Sequence, residues 1–224
     1  MQRRTFLKTV GASLIVTPAI ALAGGNSLDQ SGAAEQATGG NKRGELEPYI
    51  EVGPFADDKN RVFLFYAYTC PYCAQYAPAI VDWGKTLPRE MQLVRVPVIT
   101  VERLSQVAAA AYYVVREIAP ERVNEFDSIA YDTATSGSLS PEIFTELLHK
   151  MGISPKLAQE TLNKKITKDR MVRATLLSSR YRVTATPHFG IGGRFATNVN
   201  FTNGNYMLLM KLLNGLVSQA VTVG

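Results

Sequence analysis

The sequence predicts an α/β fold in which the two halves of a sheet are separated along the chain by a block of helices. Apolar runs rich in β-branched and aromatic residues lie within residues 49–100 and again within residues 183–197. Residues 102–182 instead repeat apolar side chains at helical intervals. The first half also contains the only two cysteines of the chain, in the run Cys70-Pro71-Tyr72-Cys73. These observations favour one domain of about 180 residues organised around that run.

Three segments in the first half have the pattern of strands. Residues 49–55 alternate weakly and end at a Gly-Pro pair, as in a short edge strand, and a polar turn is predicted at residues 57–60. Residues 62–68 are almost continuously apolar or aromatic, which is typical of a central strand covered on both faces. Residues 91–100 predict a further strand.

A helix is predicted from Pro71 to Lys85. Pro71 suits the first helical position because it has no backbone N–H and a preset φ, and Cys70 is then the N-cap residue. Intervals of four and three residues predict one buried face, formed by Tyr76, Ile80 and Trp83.

Five further helices are predicted between the two sheet halves. A serine before a proline, or a threonine before a periodic run, is typical of a helix start. The predicted spans and starts are residues 103–118, residues 121–131, Ser140-Pro141, Ser154-Pro155, and Thr167 as the cap of a helix that reaches Arg182.

The C-terminal part predicts a hairpin and a last helix. Residues 188–191 and 194–197 are short β-rich segments joined by Gly192-Gly193, as in a β-hairpin. From Asn203 onwards apolar side chains recur at helical spacing, and this stripe is predicted to face the core.

Residues 1–23 have the pattern of an export signal. Arg3, Arg4 and Lys8 form a basic start, a moderately apolar run follows, and an Ala-Leu-Ala cleavage site ends it. The adjacent arginines resemble a twin-arginine signal, with an ordinary secretory signal as the alternative. Residues 24–45 are small and polar and predict a flexible linker. Export to a bacterial periplasm would allow a disulfide to persist.

The charge of the chain is mostly that of the signal. The whole sequence has 24 basic and 19 acidic residues, for a net charge of +5. The signal holds three basic residues and no acidic ones, so the remainder has 21 against 19. A net charge of about +2 gives no support for a nucleic-acid partner.

The Cys70–Cys73 run predicts a redox-active dithiol. Both sulfurs can lie on the first turn of a helix, where unpaired N–H groups and the helix dipole favour a thiolate. A zinc site is the first alternative, but only His149 and His188 could add ligands, and neither has a ligand spacing. An inert pair of buried thiols is the second. We expect no metal and no cofactor.

The order of these elements resembles the thioredoxin superfamily and, within it, the DsbA family of periplasmic thiol–disulfide oxidoreductases. The resemblance covers residues 49–217 and is most specific at residues 63–73, which end in the CPYC motif, and at residues 185–195. It implies a thioredoxin-like domain made of residues 46–101 and 183–224. Residues 102–182 would then be an inserted helical domain.

The resemblance also implies roles for residues around the cysteines. Cys70 would be the attacking cysteine and Cys73 the buried resolving one. Thr186-Pro187 would be a cis-proline loop facing the disulfide, where the Thr186 backbone can pair with an extended substrate. Pro71, Tyr72 and His188 complete the implied active-site and substrate-binding loops, and Arg180 and Arg182 are candidates for added positive potential.

The function implied by this resemblance is that of a periplasmic dithiol oxidase that introduces disulfides into exported proteins. Its partners would be unfolded or partly folded proteins with thiols and a DsbB-like membrane protein, and we expect a monomer. The alternatives are a disulfide reductase or isomerase and a non-catalytic, chaperone-type binding module. Three positions depart from the family pattern. Tyr72 stands where histidine is common, Leu64 stands where a buried acid is found, and Pro78 gives the predicted helix a thioredoxin-like kink.

Overall fold

A mixed β-sheet forms the centre of residues 47–223, the part of the chain that this computed structural model describes. The predicted export signal (1–23) and the predicted linker (24–45) lie outside the described residues. The strands are β1 (Ile50–Glu51), β2 (Arg61–Tyr66), β3 (Gln92–Pro97), β4 (His188–Ile191) and β5 (Phe195–Asn198). Their order across the sheet is β1-β5-β4-β2-β3. The β2–β3 pair is parallel and the other pairs are antiparallel.

Strand β2 lies inside the sheet, between β3 and β4. All five residues from Val62 to Tyr66 are buried, so the strand has no solvent-facing side. This explains why its sequence is continuously apolar rather than alternating, and it confirms the predicted central strand. At the edge, β1 is only two residues long and pairs with β5, which confirms the predicted short edge strand.

Seven α-helices surround this sheet within the described residues. They are α1 (Pro71–Gly84), α2 (Arg103–Ile118), α3 (Val123–Thr135), α4 (Pro141–Lys150), α5 (Pro155–Asn163), α6 (Lys165–Arg180) and α7 (Tyr206–Val223). The hairpin of β4 and β5 around Gly192-Gly193 is also as predicted. None of these helices is long and apolar enough to cross a lipid bilayer.

Alternate residues of β2 face opposite layers of helices. Phe63 and Phe65 contact Tyr181, the residue that follows α6, with ring centroids 5.3 and 5.7 Å away. On the other face, Leu64 pairs in register with Phe189, whose ring meets the edge of Trp83 from α1. The central strand is therefore held between α6 on one side and α1 on the other.

Helix α1 begins as the sequence predicts. Pro71 is its first residue, and the N-cap Cys70 accepts a hydrogen bond from the backbone N–H of Cys73 through its sulfur. Its buried face includes Tyr76, Ile80 and Trp83, which confirms the spacing of four and three residues. The Trp83 indole donates to the Asn214 side chain at 2.8 Å and so ties α1 to α7.

The start of α6 corrects one prediction. Thr167 is not its N-cap, because the helix already begins at Lys165 and Thr167 is buried within the first turn. The break from α5 occurs at Lys164, whose backbone is extended. The Thr-based pattern failed because only Lys164 separates α5 from α6, so the extended N-cap residue is Lys164 and Thr167 turns inwards from the first turn.

The predicted polar turn at residues 57–60 contains one residue that is not exposed. Residues Ala56–Asp58 form a short 3-10 helix, and Asp58 is completely buried. Its carboxylate lies 3.0 Å from the Arg180 guanidinium and 3.4 Å from that of Arg173. Two arginines from α6, more than 100 residues away along the chain, therefore cover a residue that looks like part of a surface turn.

Candidate active site

The two cysteines lie at the amino end of α1 and differ in exposure. Cys70 is partly exposed, whereas Cys73 is only 2% exposed. Both are free thiols. The Cys70 sulfur accepts a hydrogen bond from the Cys73 backbone N–H at 3.2 Å, because the N-cap position directs it at the first turn. The helix start thus presents one accessible sulfur and one that is shielded behind it.

The segment before β4 forms the opposing wall of the site. It carries Thr186-Pro187, and the peptide bond between these two residues is cis. The Cys70 thiol donates to the Thr186 carbonyl oxygen at 3.1 Å. Residues 116 positions apart in the chain are therefore in direct contact at the sulfur.

The surroundings of the two sulfurs shift their acidities in opposite directions. A hydrogen bond with Cys73 lowers the pKa of Cys70 to about 6, and hydrogen bonds from the Thr186 side chain and the backbone of Tyr72 act in the same sense against partial burial. Burial raises the pKa of Cys73 far above that of an ordinary thiol, and the neighbouring Cys70 adds to this rise. Near neutral pH the reduced site therefore carries its negative charge on the accessible sulfur.

Tyr72 forms an aromatic surface beside Cys70. Its ring is 45% exposed and stacks on Tyr76 with centroids 6.0 Å apart. Tyr76 in turn packs on Tyr206 at 4.7 Å and donates its hydroxyl to the Gly204 carbonyl. Within residues 47–223 the Tyr72 hydroxyl makes no hydrogen bond with either sulfur. Tyr72 therefore packs on Tyr76 and presents an exposed ring beside Cys70, and it does not donate to a thiolate.

A cleft of about 480 Å³ opens on the other side of Cys70. Its walls include Thr69 and Gln75 near the start of α1 and Tyr131 and Thr135 from α3. The Cys70 sulfur thus lies between an aromatic surface and a cleft that the helical block completes. An extended chain that approaches this sulfur would contact both halves of the molecule.

A largely buried ion pair lies next to this cleft. Arg95 of β3 and Asp127 of α3 are 2.7 Å apart, and the Tyr68 hydroxyl donates to the same carboxylate. Both ionic groups line a second cleft of about 350 Å³ that shares Tyr131 with the first. Burial raises the pKa of Asp127 to about 6, and the Arg95 guanidinium opposes this rise.

This ion pair was not predicted from the sequence. A signal was present in β3, where Arg95 interrupts an apolar run and stands in register opposite Leu64 of the central strand. A charged residue at such a position requires a buried partner. The sequence does not reveal that Asp127, from a helix 32 residues further on, supplies it.

Known proteins with similar sequences are thiol–disulfide interchange proteins. No protein-family model matches the chain. It is 23% identical to DsbA of Bordetella parapertussis over 223 residues, which cover 98% of this chain and 99% of the relative. It is 24% identical to DsbA of Pseudomonas aeruginosa over 193 residues, which cover 86% and 89% of the two chains.

Solved structures agree with this similarity. The crystal structure of Pseudomonas aeruginosa DsbA superimposes with a TM-score of 0.67 at 21% identity, over 79% of this chain and 93% of that one. The chain is a DsbA-like thiol–disulfide oxidoreductase. Its fold is accordingly the thioredoxin-like fold with a helical insertion. A Proteus mirabilis DsbA crystallised with the non-covalently bound peptide PWATCDS is also similar, with a TM-score of 0.64 at 14% identity over 80% of this chain.

In this DsbA-like protein, His188 does not lie where a substrate-binding residue would. Its side chain is only 1% exposed. Nε2 lies 3.0 Å from the Tyr181 carbonyl oxygen, and Nδ1 lies 3.4 Å from the Asn198 amide nitrogen. The expectation of a substrate contact is therefore corrected: strand β4 turns this side chain towards α6 and the core.

Of the two arginines expected to add positive potential, Arg180 has a structural partner away from the cysteines. Arg180 pairs with the buried Asp58 and also lies 4.8 Å from the centre of the Phe55 ring. Arg182 adopts a left-handed backbone conformation with φ of +52° just after α6. Arg180 is therefore part of a structural ion pair at the end of α6.

Among residues 47–223, no three His, Cys, Asp or Glu side chains are grouped so as to hold a metal ion.

Proposed function

We propose that this protein is a periplasmic dithiol oxidase that introduces disulfides into exported proteins. In its oxidised form Cys70 and Cys73 would be joined by a disulfide. The observation that carries this proposal is the opposite shift of the two thiols, with the pKa of Cys70 lowered to about 6 and that of Cys73 raised. A stabilised Cys70 thiolate favours the reduced protein, and a protein whose reduced form is stable is a stronger oxidant.

The reaction follows from the different exposure of the sulfurs. A substrate thiolate attacks the accessible Cys70 sulfur, the Cys70–Cys73 bond breaks, and Cys73 leaves with the electron pair. Because the pKa of Cys73 is raised by burial, it takes up a proton and becomes a thiol. The product of this step is a mixed disulfide between the substrate and Cys70.

A second substrate thiolate completes the transfer. It attacks the substrate sulfur of the mixed disulfide, and Cys70 leaves as a thiolate. A thiol of low pKa is a good leaving group. The substrate has then lost two electrons and two protons in total, and the protein has gained the two electrons as a reduced Cys70–Cys73 pair.

The clefts and loops around Cys70 support an extended protein segment as the substrate. In residues 184–187 no backbone group makes a backbone hydrogen bond within the described part of the chain. We therefore propose that Thr186 pairs with the substrate backbone while Pro71, Tyr72 and Pro187 border it. The bound peptide in the Proteus mirabilis DsbA structure is consistent with this kind of substrate.

The compartment, the partner and the domain division are part of the same proposal. The Arg3-Arg4 pattern supports export through the twin-arginine route. A DsbB-like membrane protein would reoxidise the reduced pair, and the protein would act as a monomer. Residues 102–182 would form the inserted helical domain that completes the cleft beside Cys70.

Stoichiometric oxidation of a reduced dithiol peptide tests the activity. The oxidised protein should convert one equivalent of peptide to its disulfide and become reduced, with no other oxidant present. Cys70→Ser and Cys73→Ser should both abolish the transfer, because neither variant can form the Cys70–Cys73 disulfide. Cys73→Ser should form a mixed disulfide at Cys70 only when the peptide is supplied as its disulfide. A Cys70→Ser protein that keeps full activity in preventing aggregation of an unfolded protein would instead support a chaperone-type binding module.

A further inference from the structure

The segment that carries Thr186-Pro187 has few attachments of its own. It leaves the end of α6 at Tyr181 and enters β4 at His188. Its first residues are held to α6, since the Arg182 and Val183 N–H groups donate to Ser179 and Ser178. From residue 184 to residue 187 no backbone–backbone hydrogen bond is formed within the described residues. The position of the loop against Cys70 must therefore be set largely at its two ends.

The His188 imidazole connects these two ends. Nε2 is 3.0 Å from the carbonyl oxygen of Tyr181, where the segment begins, and His188 itself is where it ends. The Asn198 side-chain oxygen accepts from the Asn200 N–H at 2.9 Å, which turns the Asn198 amide nitrogen towards Nδ1. Nδ1 is then the acceptor, so Nε2 carries the proton and donates it to the Tyr181 carbonyl.

Both anchors of this bridge are fixed in the core. The Tyr181 ring is fully buried against Phe55, Phe63 and Phe65. Its hydroxyl donates to the buried Asp58 at 3.2 Å. On the other side, His188 belongs to β4 and stands in register between Phe65 of β2 and Asn198 of β5. A movement of the ring would require one of these packed elements to move.

We propose that His188 is a positioning residue that closes the segment from Tyr181 to His188 and thereby fixes the Thr186 carbonyl against the Cys70 sulfur. The link to the sulfur is short, because Thr186 is two residues before His188 and lies 3.1 Å from Cys70. The inference rests on the proposed dithiol chemistry at Cys70. It assigns to His188 an effect on the reactivity of Cys70 without any contact with the substrate.

Two amide substitutions separate this role from simple burial of a polar side chain. In His188→Gln the amide nitrogen can take the place of Nε2 and still donate to the Tyr181 carbonyl. In His188→Asn the side chain is one bond shorter and does not reach it. Thr197→Val is the control for stability, because it removes another buried hydrogen bond of β5, the one from the Thr197 hydroxyl to the Pro48 carbonyl.

The measurement is the pH dependence of Cys70 alkylation by iodoacetamide in the reduced proteins. For His188→Asn we expect the pKa of Cys70 to fall, because the thiol loses the carbonyl acceptor that stabilises its protonated form, and the alkylation rate at pH 5 to rise by about twofold to fivefold. His188→Gln should remain close to the parent, and Thr197→Val should be unchanged. Asn198→Ala, which removes the partner of Nδ1, should change the rate in the same direction as His188→Asn.

A parental alkylation profile in folded His188→Asn would overturn the assignment. If that variant does not fold, a parental profile in Asn198→Ala has the same meaning. Alkylation requires no substrate protein, so this result is independent of the oxidase activity. A protein that fails to oxidise a peptide but shows the expected His188→Asn effect would contradict the proposed function and leave the positioning role intact.

Discussion

The buried carboxylate of Asp58 fixes the position of the end of α6. Asp58 is fully buried, yet it contacts Arg180, Arg173 and the Tyr181 hydroxyl. Through these contacts it holds the end of α6, from which the loop beside Cys70 departs. The same turn contains Asp57, which is exposed. Two adjacent acidic residues thus have different roles, and only the position of α6 distinguishes them.

Replacing Asp58 should therefore be costly. Asp58→Asn leaves two arginines facing a neutral group in a partly buried site, and we expect the free energy of unfolding to fall by about 3 kcal/mol. Urea unfolding followed by circular dichroism measures it. The control is Asp82→Asn, whose partner Lys85 is exposed, and it should change stability by less than about 1 kcal/mol. Equal effects of the two substitutions would contradict the structural role of Asp58.

At the scale of elements, close contact between β4 and the end of α6 brings the loop to the cysteines. A Cβ at Gly190 would lie 2.4 Å from the Tyr181 ring, so only glycine allows this approach. Gly215 of α7 differs, because a Cβ there meets nothing within 4 Å. The two glycines are therefore expected to respond oppositely to alanine.

Gly190→Ala should destabilise the protein by about 1–3 kcal/mol because the Tyr181 ring is held on all sides by the core. Gly215→Ala should instead stabilise it by about 0.5–1 kcal/mol, since alanine is the better helix former. Thermal unfolding of both variants checks this prediction. A neutral Gly190→Ala would show that β4 and Tyr181 do not need this close approach.

The elements were predictable from the sequence where a local pattern fixes them. The CxxC helix, the central strand, the hairpin and the spans of most helices follow from caps, prolines and periodicity, as the Cys70 cap and the face of Tyr76 and Ile80 show. Contacts between distant elements were not predictable in this way. The burial of Asp58, the pairing of Arg95 with Asp127 and the inward direction of His188 all depend on which helix covers which face.

At the scale of the whole molecule, two buried groups act on stability with opposite pH dependence. Burial lowers the pKa of His188 to about 4, below its ordinary value, so the unfolded chain binds the proton more tightly. The stability that His188 contributes therefore falls as the pH decreases from about 6.5 to 4. Burial raises the pKa of Asp127 to about 6, so its folded form binds the proton more tightly. Its contribution falls as the pH increases from about 4 to 6.

The two effects should largely cancel between pH 4 and 6, and single substitutions should reveal them. In Asp127→Asn the free energy of unfolding should rise with pH more steeply than in the parent. In His188→Gln it should rise less steeply or fall. Each change is on the order of 3 kcal/mol at most. Urea unfolding at several pH values tests this, and identical slopes in all three proteins would contradict the assigned protonation states.

The central claim is that the stabilised Cys70 thiolate makes the protein an oxidant. Equilibration of the Cys70–Cys73 pair with reduced and oxidised glutathione measures its reduction potential most directly. We predict a value on the oxidising side of protein disulfide isomerase, between about −180 mV and the −120 mV or so of the strongest dithiol oxidants. A potential near that of thioredoxin, about −270 mV, would contradict the oxidase and favour a reductase.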